Sequence, residues 1–328
     1  MALTKVKPSN VDDQIIGRKN IIINGDMKVY QRAQSITGFT TAYTYHTADR
    51  MRFSSEGGTI GTWNQEVQTD QNIGDYSNVN VLKTTCTSAG ADNKRGVNYR
   101  IEPIDIKHMI GKTCTLSFYA KADATVTQQR TLAFISSGSV ASSVDLGDIT
   151  LTTSYTKYTA TFTMANCTDY VDMLLRVDGD TETSSYITLI QLELGSQATP
   201  FEFRSYGEEL ALCQRYYYRL VSGTEGSNYR FGIGCGVNPN KLDTMFQFSP
   251  EMRGAPSLDA MTAGNYRTNF NQTATSIYIV HSTTTGTCVR TEHAANSVEY
   301  KGCELLCPSA FSGHGSLNAA YIAFDAEL

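Results

Sequence analysis

The sequence predicts a mainly β protein with an N-terminal antiparallel β-sandwich of the jelly-roll type, one short central helix and a smaller C-terminal antiparallel β domain. Short runs in which apolar residues alternate with threonine or other polar residues recur along the chain, as expected of half-buried antiparallel strands. Clusters of Gly, Asn, Asp, Ser and Pro separate these runs. Strands do not alternate with long helices in the pattern that builds parallel α/β sheets.

Size and charge restrict the functional classes. The chain has 328 residues and a formal net charge of −5, which allows two cores and argues against a protein that binds the phosphate backbone of nucleic acids. No apolar run approaches the roughly 18 residues that cross a bilayer, and the N-terminus lacks the apolar core of a signal peptide. We therefore expect neither nucleic-acid binding nor membrane insertion.

The elements are predicted in chain order. Residues 1–19 are polar and indicate an extended arm, and 20–203 carry the alternating runs of the sandwich. Ile21–Ile23 are expected to start a strand, followed by turn residues. The clearest further strands are 62–69, 78–86, 113–122, 155–164, 171–177 and 186–194. Residues 178–185, DGDTETSS, are expected to be a hairpin loop between the last two strands.

One strong helix signal interrupts the strands, at 204–220. Ser205 is a candidate N-cap, and Glu208 lies three residues later, which is the spacing of a capping box. Apolar residues spaced three, four and three apart form a stripe. The members of this stripe are Leu210, Cys213, Tyr217 and Leu220. The stripe is too short to specify a free coiled coil, so we expect it to pack on another chain or on its own sheets.

Residues 221–328 return to β character and predict a second, smaller domain. Within it, 231–237 read FGIGCGV, which contains closely spaced glycines. The run lacks the strand–helix context of a dinucleotide site, so a strand with glycine bulges is the preferred interpretation.

Catalytic motifs are not found in the sequence. The five histidines lack metal-site spacing, and the carboxylates Asp178, Asp180 and Glu182 match loop chemistry better than a glycosidase pair. We expect a protein that is not an enzyme. The eight cysteines lie mostly in apolar surroundings and are expected to be reduced, buried thiols.

Several segments resemble one family in the same order along almost the whole chain. They are MALTKVKP, IGRKNIIINGDMKVYQR, YHTADRMRF, QLELGSQATPFEFRSYGEELALCQRYYYR, FSPEMRGAPSL and AAYIAFDAEL. Together they resemble bacteriophage tail fibre or tail appendage proteins whose first domain is similar to a carbohydrate-binding-module jelly roll. The match is most specific at 191–219 and weaker at 18–32. Met51 and Phe203 depart from it, standing where an aromatic residue and a histidine are more usual.

The resemblance implies a virion structural protein, made in the host cytoplasm and located in the phage tail. It implies a homotrimer, and from the stripe on the helix we expect Leu210, Cys213 and Tyr217 to face the threefold axis. The arm 1–19 would contact other tail or baseplate proteins, and the distal part would attach to a host-surface glycan or protein. Two alternatives stay open: a monomeric carbohydrate-binding module, and a polysaccharide depolymerase.

Candidate binding residues follow from the same comparison. Jelly-roll modules often hold a structural calcium near the first and last strands, where this chain has Asp26 and Glu193; the alternative is a turn aspartate and a salt-bridged glutamate. No other cofactor is expected. Glycan sites place aromatic faces against sugar rings, and the loop tyrosines Tyr43, Tyr45, Tyr229 and Tyr266 are candidates, while Trp63 fits the core better.

Overall fold

The computed structural model divides the chain into two compact units, Met1–Glu209 and Leu210–Leu328. The structure describes residues 18–57, 60–90, 93–124, 132–136, 143–145, 149–166, 169–178, 183–221, 230–238, 241–259, 267–268, 274–282, 288–295, 314–318 and 321–327. All four sheets formed by these residues are antiparallel. The predicted mainly β fold class is confirmed.

Two six-stranded sheets form the first unit. Its strands are β1 (Ser35–Phe39), β2 (Thr44–Tyr45), β3 (Arg52–Gly57), β4 (Thr62–Ile73), β5 (Tyr76–Ser88), β6 (Asn93–Ile101), β7 (Thr113–Ala122), β8 (Leu132–Ser136), β9 (Ser143–Asp145), β10 (Thr156–Thr163), β11 (Val171–Asp178) and β12 (Ser184–Leu194). A four-residue helix, α1 (Pro103–Ile106), precedes β7. The strand order is β1-β4-β5-β12-β7-β10 in the first sheet and β2-β3-β6-β11-β8-β9 in the second. The chain passes repeatedly from one sheet to the other, as in a jelly roll.

Aromatic side chains from both sheets meet in the core of this sandwich. Phe53 of the second sheet packs against Trp63 of the first sheet, with ring centroids 5.4 Å apart, and against Phe39 at 4.9 Å. Trp63 is buried, which confirms its prediction as a core residue. Because side chains alternate along a strand, burying these residues fixes which residues of each strand face outward.

The six strongest strand predictions correspond to β4, β5, β7, β10, β11 and β12, but the hairpin predicted at 178–185 is wrong. β11 pairs with β6 and β8 in the second sheet, whereas β12 pairs with β5 and β7 in the first. The connection therefore crosses between the sheets. Turn-forming residues indicate that the chain changes direction, and they do not specify which strand it pairs with next.

The strand expected to start at Ile21–Ile23 is also absent from the described residues. The Ile21 N–H donates to the Leu192 carbonyl of β12 at 3.0 Å, but side chains accept the hydrogen bonds of the next two N–H groups. The Ile22 N–H donates to Asn20 Oδ1 at 2.9 Å, and the Ile23 N–H donates to the Tyr99 hydroxyl at 2.8 Å. Asn24 closes the turn that follows: its Nδ2 donates to the Val29 carbonyl, and its Oδ1 accepts from the Val29 N–H.

The central helix, α2, extends over Tyr206–Gln214, so it is shorter than the predicted 204–220. Its start agrees with the sequence, since the Glu208 N–H donates to Ser205 Oγ at 3.3 Å. The Glu208 carboxylate forms an ion pair with Arg18 at 2.6 Å. The helix ends early because Tyr217–Val221 forms β13, which pairs with β21 (Tyr321–Asp325).

This ending changes the predicted oligomerisation stripe. Leu210 and Cys213 lie on α2, but Tyr217 and Leu220 lie on a strand, so the four residues do not share one helical face. Cys213 and Tyr217 are buried in the single chain, whereas Leu210 is half-buried. Within the predicted trimer-forming set, Leu210 is thus the residue that retains exposed surface.

The second unit contains a three-stranded sheet, β13-β21-β16, and a six-stranded sheet, β17-β20-β14-β15-β19-β18. Their remaining bounds are β14 (Arg230–Asn238), β15 (Lys241–Gln247), β16 (Ser257–Asp259), β17 (Arg267–Thr268), β18 (Ala274–Ser282), β19 (Cys288–Ala295) and β20 (His314–Asn318). The register of β14 shifts on both sides of its glycine-rich run, which confirms the predicted glycine bulges. Phe248 packs between Tyr218 and Phe324.

Candidate functional site

The outward face of the second sheet carries a row of polar side chains. Arg52 of β3 lies directly opposite Asn98 of β6, and Arg100 of β6 lies opposite Asp172 of β11. Residues opposite one another in an antiparallel pair project to the same side, so these four side chains share one face. We call Arg52, Asn98, Arg100 and Asp172 the polar strip. Their chain neighbours, such as Phe53, Tyr99 and Met173, belong to the buried core, and within the strip Arg100 alone is half-buried while the other three are also buried.

A bidentate ion pair is the centre of the polar strip. The Arg100 Nε and Nη2 donate to the two Asp172 oxygens at 2.8 and 2.9 Å. Arg52 Nη2 donates to Asn98 Oδ1 at 3.0 Å and lies 3.7 Å from Asp172 Oδ2. This geometry matches the fork of a guanidinium to the two oxygens of a carboxylate and fixes both side chains.

Tyrosines stand over the polar strip. The Arg100 guanidinium lies 3.6 Å from the centroid of the Tyr170 ring, and that of Arg52 lies 5.2 Å from the Tyr43 ring. Tyr43 is 48% exposed and has a φ of 57°, a conformation uncommon for a residue with a bulky side chain. Such backbone strain concentrates at binding sites, so the position of Tyr43 suggests a functional role.

Tyr45 and His46 extend this surface at the end of the second sheet. The Arg32 guanidinium lies 5.1 Å from the Tyr45 ring centroid, and His46 Nε2 lies 2.7 Å from Thr44 Oγ1. Burial, and then the charge of Arg32, lower the pKa of His46, which favours the neutral imidazole. Arg32 is thus the cation at the Tyr45 ring, and His46 adds no charge when neutral.

Positive charge also dominates the polar strip. Burial opposes the charge of Arg100, but the hydrogen bonds and charge of Asp172, with smaller contributions from Tyr170 and Tyr45, outweigh burial and raise the guanidinium's pKa. Arg100 thus stays charged across the accessible pH range. The face combines fixed donors, an amide, a carboxylate and three tyrosine rings, which are the groups that sugar hydroxyls and sugar ring faces contact.

The structure brings two of the predicted glycan-binding tyrosines, Tyr43 and Tyr45, to this face. Tyr229 and Tyr266 lie outside the described residues. Sequence analysis did not identify Tyr170 or the two arginines of the polar strip. A local signal exists for one strand only: Asn98 and Arg100 are two residues apart in β6 and therefore point to the same side.

Hydrogen-bond donors contact three of the four carboxylate oxygens of Asp26 and Glu193, the residues predicted to bind calcium. Glu193 Oε1 accepts from Gln191 Nε2 and the Thr199 N–H, and its Oε2 accepts from Thr199 Oγ1 at 2.6 Å. Asp26 forms an ion pair with Lys28 at 2.7 Å. Asp26 Oδ1 is buried and accepts no hydrogen bond from the described residues, whereas both Glu193 oxygens accept hydrogen bonds. Among the described residues no group of three or more His, Cys, Asp or Glu could hold a metal, and calcium binding at Asp26 and Glu193 stays a prediction.

A cavity of about 330 Å³ lies next to Glu193 and opens between Arg18, Lys19 and His108. None of its lining residues is Phe, Tyr or Trp. Without an aromatic wall, this cavity is less suited to a sugar ring than the polar strip and its tyrosines.

In the described part of the chain, no helix has the length and apolar character to cross a bilayer. A scan against protein-family models gives no match, and a search of curated proteins finds none either.

Among solved structures, the chain is similar to the enzymatically active domain of bacteriophage CBA120 tailspike protein 4, at 15% identity and a TM-score of 0.36, over 54% of this chain and 21% of that one. It thus spans about a fifth of the tailspike chain. The CBM22-1 xylan-binding domain of Paenibacillus barcinonensis Xyn10C matches at 13% identity and a TM-score of 0.31, over 50% of this chain and 94% of that domain. A structure titled "CBM4 structure and function" matches at 16% identity and a TM-score of 0.31, over 52% of this chain and 98% of that one. Because these TM-scores lie below 0.5, the β-sandwich assignment rests on the sheet order and register.

Proposed function

We propose that this protein binds carbohydrate through the tyrosine-covered polar strip, as a structural subunit of a phage tail appendage that attaches to a host-surface glycan. The observation that carries the proposal is Tyr43, an exposed tyrosine in a strained backbone conformation beside the Arg52 guanidinium of the polar strip. Exposed aromatic rings beside fixed polar groups are the usual components of a sugar-binding surface.

The tyrosine rings and the polar strip would contact different parts of a sugar. The apolar faces of Tyr43 and Tyr170 would pack against the C–H side of a sugar ring, and the polar strip would exchange hydrogen bonds with its hydroxyls. Because Arg100 and Asp172 hold each other in place, little side-chain freedom would be lost on binding.

The test is binding of the full chain to an array of bacterial surface oligosaccharides, followed by calorimetry with the best ligand. Tyr43→Ala is expected to weaken binding by about 1–2 kcal/mol, roughly five- to thirtyfold, as for a central interface aromatic. Tyr206→Ala is the matched control, since Tyr206 is 59% exposed and lies on α2, which contributes no residue to the polar strip. Equal losses in both variants would argue against this face.

The virion assignment rests on the sequence resemblance described above. We propose a homotrimer in the phage tail, with the arm 1–19 contacting other tail or baseplate proteins. Light scattering of the purified chain and imaging of intact particles test this proposal together. Leu210→Asp is expected to dissociate the trimer and leave the sandwich folded, because three charges would then meet at the axis. A stable wild-type monomer that is absent from particles would favour a carbohydrate-binding module instead.

Binding without catalysis is part of the proposal. Both oxygens of Asp172, the carboxylate of the polar strip, are engaged by Arg100, which leaves no paired acid and base of the glycosidase kind within the strip. Release of reducing ends from the bound glycan would contradict this view and support the depolymerase alternative.

A further inference from the structure

The charges of the polar strip are unequal. Two guanidinium groups, Arg52 and Arg100, share one carboxylate, Asp172. The remaining residue of the strip, Asn98, is neutral. Arginine keeps its charge at all accessible pH values. The strip therefore carries one positive charge in excess.

Arg52 is the guanidinium with unused hydrogen-bonding capacity. Its side chain is 8% exposed, and within the described part of the chain only its Nη2 makes a hydrogen bond or ion pair, to Asn98 and at 3.7 Å to Asp172. Its Nε is buried and has no hydrogen-bond partner among the described residues. A buried donor without a partner costs free energy, more so on a charged group, and an arriving acceptor would remove that cost.

Asp172 does not satisfy both arginines. It forms two short hydrogen bonds to Arg100, while its distance to Arg52 exceeds a normal hydrogen bond. The side chains of Arg100 and Asp172 retain 15% and 12% exposure. A small group from solvent can therefore reach the edge of the strip, next to the exposed ring of Tyr43.

We propose that this site selects an acidic glycan, in which a carboxylate on the sugar accepts hydrogen bonds from Arg52 while the sugar ring packs on Tyr43. This proposal rests on the carbohydrate-binding function and adds the class of ligand. A carboxylate fits because it supplies the charge that the strip lacks and the paired oxygens that a guanidinium binds best. A neutral sugar would leave the excess charge of Arg52 uncompensated.

The test compares one ligand in two charge states. The best acidic oligosaccharide from the array is measured before and after methyl esterification of its carboxylates, with inorganic phosphate as a competitor. Esterification is expected to weaken binding about ten- to hundredfold, the factor for loss of one hydrogen bond to a charged group. Binding of the acidic form is also expected to weaken as salt is raised.

Two variants should act in opposite directions. Arg52→Gln is expected to weaken the acidic ligand about ten- to hundredfold and the esterified ligand much less. Asp172→Asn keeps an oxygen for Arg100 but removes the competing charge, so it should strengthen acidic binding several-fold. Arg18→Gln, an exposed arginine paired with Glu208, should change nothing. Because Arg52 is buried, weaker binding in Arg52→Gln has two explanations, a lost charge and a lost fold. Arg52→Lys keeps the charge, and thermal melts of both variants show whether the fold is kept.

The outcomes separate the two proposals. Equal binding of the acid and its ester, or weaker acidic binding in Asp172→Asn, would overturn the acidic class and leave carbohydrate binding standing. Binding of phosphate but of no oligosaccharide, or no binding at all, would overturn both.

Discussion

Arg204 lies at the centre of a buried polar network in the first unit, and its removal should destabilise that unit strongly. Its Nη1 donates to the Ile22 carbonyl at 3.1 Å and to Glu209 Oε1 at 3.1 Å, and its Nη2 donates to the Asn20 carbonyl. Glu209 Oε1 also accepts from the Asn24 N–H at 2.5 Å. Arg204 and Glu209 side chains are each 4% exposed.

The variant Arg204→Met preserves an unbranched stem and removes the charge. It leaves the Glu209 carboxylate buried without its cation and two carbonyls without a donor. Breaking one side of a buried pair costs about 3–5 kcal/mol. For a unit of this size, that loss lowers the Tm by roughly 6–20 °C.

Thermal and urea unfolding of the full chain measure the effect, monitored by circular dichroism. The double variant Arg204→Met with Glu209→Gln should recover about 1–3 kcal/mol relative to additivity, because no charge is stranded. Lys157→Met, at an exposed position, should stay within about 0.5 kcal/mol of wild type. The reasoning is refuted if Arg204→Met resembles Lys157→Met, or if the double variant loses the sum of the single losses.

Four further predictions concern three buried residues and one exposed helix position. Burial raises the pKa of Glu209, so the folded protein holds this proton more tightly than the unfolded chain. The free energy of unfolding should therefore fall as pH rises from the ordinary towards the raised pKa. Urea titrations measure this slope, and Glu209→Gln should lack it. Burial raises the pKa of Cys114 to about 11, so its thiol should resist alkylation at pH 8 until the protein unfolds. Gly25→Ala should destabilise the protein, because a Cβ would lie 2.2 Å from the Ile190 carbonyl oxygen. Gly207→Ala meets open space in a helix and should stabilise the protein by up to about 1 kcal/mol. Thermal melts measure both changes.

Period-two alternation predicted the strands of the sandwich because burial of one face acts on every second residue of a strand. In β10, Phe162 is buried between exposed Thr161 and Thr163, as the pattern indicates. The same signal does not specify which strand is the neighbour. For this reason the strand predictions are confirmed by the structure, whereas the hairpin predicted at 178–185 is wrong.

Long-range pairing also explains what was missed at the candidate site. Asp172 reaches Arg100 across a separation of 72 residues, so neither residue looks special in its own segment. The helix end was missed for a similar reason. Tyr217–Val221 can continue a helical stripe or form a strand, and its partner, β21, lies about a hundred residues away. Tyr43 was found because an exposed loop tyrosine is a local feature, but its strained φ is not visible in sequence.

The segments that carry the family resemblance contribute mainly to the buried network around Arg204 and Glu209. They contribute much less to the proposed binding face. Asn24 joins three of these segments, through the Glu209 carboxylate of α2 and the carbonyls of Val29 and Asp49. Asn24 thus ties these segments together through its backbone N–H and its side chain, and it helps to hold the first unit in shape.

The binding face is distributed differently along the chain. Tyr45 and Arg52 fall within a resembling segment, but Tyr43, Asn98, Arg100, Tyr170 and Asp172 all lie outside the resembling segments. A shared framework with a face built mostly from other positions allows ligand preference to change without loss of the fold. The proposed ligand class therefore rests on the polar strip and its tyrosines, because resemblance in the framework does not identify a ligand.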